Sequence, residues 1–342
     1  MGHEIDLKKY EIRTDLVLDT IENTTEEIQT TINTHGNIKV TKVKIDEETS
    51  KLINKKIGNY ITIEFEDVTD TENRLNVEEV FKEELGSLLE ELNIHDKESA
   101  LIIGLGNEKS TPDSLGPKII EGILVTRHLF LIGETTSEGI REVSAITPGV
   151  MATTGIETSD FVSSVVTEIN PSFVIVVDAL AASSISRINK SIQITDTGIH
   201  PGSGVGNKRK EISKDTLGIP VIGIGVPTVV ESSTIVYDTI NYLFKHISYI
   251  KENQNKNKLI FNRYNYLEKI KDRSLSIEEQ KNILGLIGEL SNTEKKNLIN
   301  EVLNAINYNF IVTPKEVDFQ IDKLADLLSE GINKCLHREE KV

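Results

Sequence analysis

The stretch from residue 101 to residue 117 constrains the fold of this chain more than any other part of it. A short apolar run at 101–103 is typical of a buried strand, a glycine-rich turn follows at 104–107, and a helical pattern runs from 118 to 124. Strand, glycine turn and helix form the opening unit of a doubly wound α/β sheet. Such sheets carry ligands and catalytic groups at the carboxyl ends of their strands, so we expect Asp113 at a functional edge.

A second unit of the same kind lies at residues 173–182. The run 173–177 is continuously β-branched or apolar, as in a strand buried on both faces, and it ends at Asp178. We expect residues 179–182 to begin a helix. If the two strands are neighbours, Asp113 and Asp178 face each other across a cleft and form the candidate active site. The predicted fold class is α/β, a doubly wound and mostly parallel or mixed sheet with flanking helices and a C-terminal helical layer.

Composition and charge exclude several classes of protein. The chain has 342 residues and a net charge of −16, from 54 acidic and 38 basic side chains, whereas a nucleic-acid-binding protein needs a basic face. Its one cysteine, Cys335, rules out an internal disulfide and fits a reducing compartment. The sequence has neither an apolar run of about 18 residues nor the basic start and apolar core of a signal peptide. We expect a cytoplasmic protein without a membrane segment.

The remaining segments outline the other elements. Residues 1–35 are polar and are predicted to form an arm outside the core, and the glycine-rich loop 197–210 is predicted to be functional. Apolar periodicity predicts strands at 37–45, 60–65, 143–146, 191–194 and 221–227, and helices at 74–93, 154–169 and 228–244. Three capping boxes predict C-terminal helices that begin near Ser276, Ser291 and Thr313.

Several common site motifs are incomplete in this sequence. The turn 104–107 lacks the third glycine of a dinucleotide site, and the loop 202–208 departs from a phosphate loop because Asn207 stands before the lysine. The sequence has no Gly-x-Ser-x-Gly elbow for a serine nucleophile, and we expect Ser183 and Ser184 to lie in a helix. A metal site of His200 and the two aspartates stays open, although no paired histidine spacing supports it. We expect no cofactor.

The two aspartates admit a catalytic and a structural interpretation. A carboxylate at the end of a buried strand is costly unless it is paired or used. Two close carboxylates cannot both ionise easily, so they can share a proton, and one can act as a base on water while the other donates a proton. Alternatively, each aspartate caps the helix that follows it. The residue pattern alone leaves both interpretations open.

Long stretches of the chain resemble the germination protease family of spore-forming bacteria. The matching stretches are residues 10–16, 104–107, 111–117, 126–130, 148–151, 154–160, 178–182, 191–194, 198–210 and 312–318. The resemblance implies an atypical aspartic endopeptidase that degrades small acid-soluble spore proteins, with Asp113 and Asp178 as its essential aspartates. The family also resembles hydrogenase maturation proteases in fold, which carry a carboxylate and a metal at this edge, so a metal-assisted peptidase is a rival hypothesis. A non-enzymatic binding protein on the same fold is the second rival.

The resemblance further implies an enzyme that removes its own N-terminal segment. The matching segment predicts cleavage between Asp15 and Leu16, so that residues 1–15 are a propeptide. Residues 16–342 are then expected to form a single α/β peptidase domain. Its parts are an N-terminal β/α region (16–97), the catalytic sheet core (98–248), and a linker with C-terminal helices (249–342). It also implies a homotetramer in the forespore or spore core, without direct nucleic-acid binding. Substrate contacts are expected from the glycine turn and the 198–210 loop, namely Gly104, Gly106, Asn107, His200, Gly202 and Gly204.

Overall fold

The computed structural model describes residues 14–22, 24, 28–133, 139–200, 210–252 and 269–337. Within this described part, the chain divides into two compact units. The smaller unit contains Ser183–Ile185 and Val230–Val312, and the larger unit contains residues 14–182, Ser186–Val229 and residues 313–337. The subdivision that the sequence predicted at residues 98 and 249 does not coincide with these units, and the single-domain organisation stays a prediction.

A mixed β-sheet forms the centre of the larger unit. Its strands are β1 (Thr30–His35), β2 (Ile38–Ile45), β3 (Gly58–Glu64), β4 (Ala100–Gly104), β5 (Val143–Ile146), β6 (Phe173–Ala182), β7 (Ser191–Thr195) and β8 (Val221–Glu231). They lie in the order β1-β2-β3-β7-β8-β6-β4-β5. Strand β4 pairs in parallel with both β5 and β6. The antiparallel pairs are β1 with β2, β2 with β3, β3 with β7, and β7 with β8. The structure therefore confirms the predicted mixed α/β sheet, with parallel strands leading toward the two aspartates.

Helices flank this sheet on both faces. In the larger unit they are α1 (Val17–Glu22), α2 (Glu47–Ile53), α3 (Thr71–Glu91), α4 (Leu115–Gly122), α5 (Arg127–Leu131), α6 (Met151–Thr154), α7 (Thr158–Ile169), α8 (Lys214–Leu217) and α13 (Val317–Leu336). None of the helices in the described part of the chain is long and apolar enough to cross a membrane.

Both faces of the parallel strands are buried. Successive side chains of a strand point to opposite faces, and accordingly Ile102 and Ile175 join one apolar cluster while Leu101 and Val174 join another. Apolar residues of α3, α4 and α13 complete the first cluster, and those of α7 complete the second. Burial on both faces explains why the runs 101–103 and 173–177 are continuously apolar.

Local capping fixes the ends of two helices that precede the site. Helix α3 begins after Asp70, whose side chain accepts a hydrogen bond from the N–H of Asn73, and this confirms the predicted helix at 74–93. Helix α2 begins after Asp46 in the same manner and ends at Asn54, which adopts a left-handed conformation with φ +52°. The chain therefore turns sharply just before Lys55.

Two strands are longer than the sequence predicts. Strand β6 continues through Ala182, so the helix predicted at 179–182 is wrong, and Ser183 and Ser184 lie in a bend. The reason is packing: Leu180 fills the space over Gly225, where an added Cβ would lie only 2.2 Å from Leu180 Cδ1. Strand β8 likewise runs to Glu231, so helix α9 (Ser232–Glu252) begins after the predicted start at residue 228.

The smaller unit consists mainly of helices. They are α9, α10 (Ile277–Leu284), α11 (Leu286–Glu289) and α12 (Asn292–Ala305), and the end of β8 pairs antiparallel with β9 (Ile311–Val312). The predicted capping boxes of Ser276 and Ser291 are confirmed, because each serine exchanges hydrogen bonds with the glutamate three residues later.

Two predictions about the ends of the chain are wrong. Helix α13 begins at Val317, and Thr313 is not its cap, because the Thr313 hydroxyl donates to the carbonyl of Thr228 over 2.8 Å. The N-terminal arm is only partly outside the core: Leu16 and Val17 are fully buried, and β1 starts at residue 30. The rest of the predicted arm, residues 1–13, lies outside the described residues.

Candidate functional site

The glycines of the 104–116 turn allow two backbone segments to touch. A Cβ added to Gly104 would lie 2.2 Å from the carbonyl oxygen of Gly116. A Cβ added to Gly106 would lie 2.0 Å from the carbonyl oxygen of Asp113. A Cβ on Gly116 would lie 2.1 Å from the oxygen of Leu105. Gly106 also has φ +120°, a conformation that side chains disfavour. Three glycines are therefore needed because the turn packs directly on the segment that carries Asp113.

Hydrogen bonds hold Asp113 in a single turn of 3-10 helix, Thr111–Asp113. Its carbonyl accepts from the N–H of Asn107 and its N–H donates to the carbonyl of Ser110, each over 2.8 Å. The side chain of Asn107 accepts from the N–H of Lys109, so the amide helps to shape the loop. The buried hydroxyl of Thr228 donates to the carbonyl of Pro112 over 2.7 Å. Thr228 is a positioning residue that the sequence analysis missed.

Asp178 lies beside the same turn. Parallel pairing sets Gly104 opposite Val177, and the N–H of Leu105 donates to the carbonyl of Val177 over 2.8 Å. The next residue along β6 is Asp178, which is 6% exposed and whose Oδ1 accepts from the N–H of Ala179. The structure thus brings both predicted aspartates to the carboxyl edge of the parallel strands.

Neither aspartate is the N-cap residue of a helix. The N-cap of α4 is Ser114 rather than Asp113, and it makes no side-chain capping hydrogen bond. Asp178 lies within β6, four residues before the strand ends at Ala182, so it precedes no helix. The structural interpretation that the sequence left open is therefore wrong.

The segment of the predicted cleavage, Thr14–Val17, lies along the end of β6. The N–H of Asp15 donates to the carbonyl of Ala181 over 3.1 Å, and the N–H of Ala181 donates to Oδ2 of Asp15 over 2.9 Å. Lys55 Nζ donates to the carbonyls of Thr14 and Asp15. Burial lowers the pKa of the Lys55 ammonium, and the nearby charge of Asp15 only partly opposes this.

A buried ion cluster fixes the helix that follows this segment. Arg187 forms ion pairs with Asp19 and Glu22 of α1 and with Glu64 of β3. The side chains of Arg187 and Asp19 are 7% and 0% exposed. Although burial disfavours its charge, the hydrogen bond with Glu22 and the charge of Asp19 raise the pKa of Arg187 above its usual value. Arg187 and its partners are a second set of residues that the sequence analysis missed.

The other predicted site residues lie in the loop after β7. His200 is half exposed, and its Nε2 lies 3.0 Å from Glu211, which also pairs with Lys56. Gly202 and Gly204 lie outside the described residues, so their predicted contacts stay predictions. Among the described residues, no group of three or more His, Cys, Asp or Glu side chains is arranged to hold a metal ion.

Comparison with known proteins identifies the family. A family model described as germination protease matches residues 5–342. Germination proteases of Bacillus cereus (strain B4264), Bacillus subtilis (strain 168) and Priestia megaterium are 48%, 47% and 46% identical to this chain. Each alignment covers 99% of this chain and 96–97% of the relative. This chain belongs to the germination protease family.

Membership of the germination protease family confirms the predicted hydrolase and gives the chain a peptidase role in spore germination. Among solved structures, a hydrogenase maturation protease, HycI from Thermococcus kodakarensis, is 19% identical and matches with a TM-score of 0.28. That match covers 42% of this chain and 80% of the other. At this TM-score the likeness adds nothing to the account of the site.

The single cysteine of this germination protease lies away from the glycine turn, on α13. Cys335 packs against the larger apolar cluster, and burial raises the pKa of its thiol to about 11. Because the thiolate is the nucleophilic form, such a thiol is chemically inert near neutral pH. The geometry of Cys335 thus fits a packing role.

Proposed function

We propose that this member of the germination protease family is a self-processing endopeptidase of the atypical aspartic type that begins the degradation of small acid-soluble spore proteins. Asp113 and Asp178 would act together on water and peptide. One observation carries the proposal: Asp113 and Asp178 both lie beside the glycine turn, at the edge where parallel sheets hold their catalytic groups. The position of Asp178 adds support, because it directly follows Val177, whose carbonyl accepts the N–H of Leu105 in the glycine turn.

The chemistry follows from two carboxyl groups that share a proton. The ionised carboxylate takes a proton from a water molecule, whose oxygen then attacks the carbonyl carbon of the peptide bond. The protonated partner donates its proton to the carbonyl oxygen, and a tetrahedral intermediate forms. In the second step, the carboxyl group that took the proton from water gives it to the nitrogen, and the partner carboxylate takes a proton from a hydroxyl of the intermediate. The C–N bond then breaks and leaves a new carboxylic acid and a new amine.

The turn 104–107 and the loop after β7 would hold the substrate. In this proposal the main chain at Gly104, Gly106 and Asn107 borders the cleaved peptide, and His200 contacts it from the half-exposed loop together with Gly202 and Gly204. The position of the turn supports this, because it lies at the carboxyl end of β4 beside the segment that carries Asp113.

The remaining parts of the proposal follow from the family resemblance. Residues 1–15 would be a propeptide that the enzyme removes between Asp15 and Leu16. The active protein would be a homotetramer of the spore core that needs no metal and does not bind DNA directly. The net charge of −16 supports the last point, since nucleic acid repels an acidic surface.

Cleavage of purified small acid-soluble spore proteins tests this function. The chain expressed from Leu16 should cut them at internal bonds, and Asp113→Asn and Asp178→Asn should each slow cleavage by about a thousandfold, the range expected for loss of acid–base groups. Asp326→Asn is the matched control, because Asp326 is 61% exposed and lies on α13. Mass spectrometry of the fragments measures the rates. If both site variants cleave at the rate of the control, the aspartate pair is not catalytic. Cleavage lost in chelator and restored by one metal would favour the metal-assisted rival.

A further inference from the structure

The peptide bond between Asp15 and Leu16 is held from both of its sides. On the carbonyl side, the oxygen of Asp15 accepts from Lys55 Nζ over 3.1 Å and from Gln193 Nε2 over 3.3 Å. On the amide side, the N–H of Leu16 donates to the hydroxyl of Thr14 over 3.1 Å. The next N–H, that of Val17, donates to Gln193 Oε1 over 2.7 Å. Gln193 therefore binds the chain both before and after this bond.

Buried residues lie on both sides of these hydrogen bonds. Leu16 and Val17 are fully buried, and Gln193 is 6% exposed within β7. An ammonium group in such surroundings is unfavourable unless hydrogen bonds satisfy it, and Lys55 donates to the carbonyls of Thr14 and Asp15. These bonds, together with the charges of Asp15 and Asp19, explain why a lysine is tolerated at this partly buried position.

These contacts place Asp15 further along β6 than Asp178. Asp15 pairs with Ala181, three residues beyond Asp178 on β6, which is about 10 Å along a strand. A water molecule must lie within about 3.5 Å of both its base and the carbonyl carbon to react. Helix α1 also begins at Val17, so the chain after the bond is not extended.

We propose that Lys55 and Gln193 form a clamp that keeps the Asp15–Leu16 bond closed to the aspartate pair, and that release of this clamp precedes self-processing. Both are positioning residues: each binds the main chain of the segment rather than the reacting water. The proposal rests on the proposed function, in which Asp15–Leu16 is the bond that the enzyme cleaves in itself.

Rates of self-processing test the clamp. We compare full-length wild type, Lys55→Met and Gln193→Met by intact mass against time, with Lys51→Met as the matched control. Lys51 is 75% exposed and pairs only one helical turn away, with Glu47. Both clamp variants should lose residues 1–15 about tenfold faster than wild type, the factor expected when one hydrogen bond to a charged or buried group is lost. Lys51→Met should match wild type. Equal or slower loss in both clamp variants overturns the proposal.

Hydrogen exchange separates the clamp from the proposed function. In Lys55→Met and Gln193→Met, the amides of Leu16 and Val17 should exchange about tenfold faster than in wild type, while amides of β4 and β6 keep their protection. Unchanged exchange at Leu16 and Val17 overturns the clamp, whatever the processing rates. If no variant shortens itself and exchange still accelerates, the clamp holds the segment as inferred and self-processing is the part that fails.

Discussion

The glycine turn 104–116 and the N-terminal segment 14–22 both lie beside β6, but different kinds of contact hold them. In the turn, main chain meets main chain: Leu105 bonds Val177, and Asn107 bonds Asp113. In the segment, Asp15 pairs with the main chain of Ala181, but most contacts come from side chains in distant parts of the sequence, those of Lys55, Arg187 and Gln193. The contacts of the turn belong to the main chain and cannot be removed by substitution of a partner side chain, whereas the side-chain contacts of the segment can be removed one at a time.

This contrast fits the two roles proposed for the regions. A catalytic group must be held in a fixed position, and close backbone packing with glycines provides that. A segment that is to be cut must instead have two arrangements, one held and one released. Variants that remove the rigid contacts should therefore damage the fold, and variants that remove side-chain contacts should act locally.

The largest effect is expected from Gly106→Ala. Its Cβ would lie 2.0 Å from the carbonyl oxygen of Asp113, at φ +120°. We expect a loss of about 4 kcal/mol in the free energy of unfolding, from backbone strain and overpacking together. Gly155→Ala is the control, because its φ of +71° is also positive but no atom lies within 4 Å of the added Cβ. Denaturant unfolding should show a loss of only about 1 kcal/mol there. Equal losses in the two variants would show that the turn is not tightly packed.

Arg187→Met should have the next largest effect. It leaves the buried carboxylate of Asp19 without its cation, which typically costs about 3 kcal/mol. Adding Asp19→Asn should recover part of this loss, since it removes a buried charge that no longer has Arg187 beside it. Chemical denaturation of the single and double variants measures both steps. If the losses of the two single variants simply add in the double variant, the Arg187–Asp19 ion pair contributes nothing to holding α1.

A smaller effect is expected from Thr228→Val, which preserves the shape of the side chain. It removes the hydrogen bond to the carbonyl of Pro112 and should cost about 1.5 kcal/mol. The exposed Thr167 of α7 is the control, since Thr167→Val should change the free energy of unfolding by about 0.5 kcal/mol or less. Thermal unfolding gives the comparison. Because Pro112 precedes Asp113, peptidase activity should fall in Thr228→Val alone.

The smallest effect is expected at Cys335. With the pKa of its thiol at about 11 instead of 9.0, the thiolate fraction at pH 8 is about a hundredfold lower than for an ordinary thiol. Alkylation of the folded protein should be correspondingly slow, and it should accelerate in denaturant. Peptidase activity should survive treatment with iodoacetamide. Rapid alkylation with loss of activity would reopen a role for the thiol.

Patterns within a short stretch predicted the fold of this germination protease well. The apolar runs 101–103 and 173–177 are buried strands, and Ser276 and Ser291 cap their helices as expected. These features depend on residues a few positions apart. The prediction failed at 179–182, where the contact of Leu180 with Gly225 overrides the helical preference of the alanines.

The contacts of the N-terminal segment could not be predicted in the same way. Lys55 and Gln193 bind Asp15 across 40 and 178 positions of sequence, and one sequence does not reveal such pairs. One signal was nevertheless present. Gln193 stands between Ile192 and Ile194 in a buried strand, where a polar side chain is costly unless it has a hydrogen-bond partner. It could have been recognised as a residue with a specific partner.

The most direct test of the aspartate pair is the intact mass of the purified full-length protein against time at mildly acidic pH. Wild type, Asp113→Asn and Asp178→Asn are compared under identical conditions. We expect wild type to lose residues 1–15 and to start at Leu16, while both variants keep their full mass. If both variants lose the same residues at the wild-type rate, Asp113 and Asp178 do not carry the chemistry.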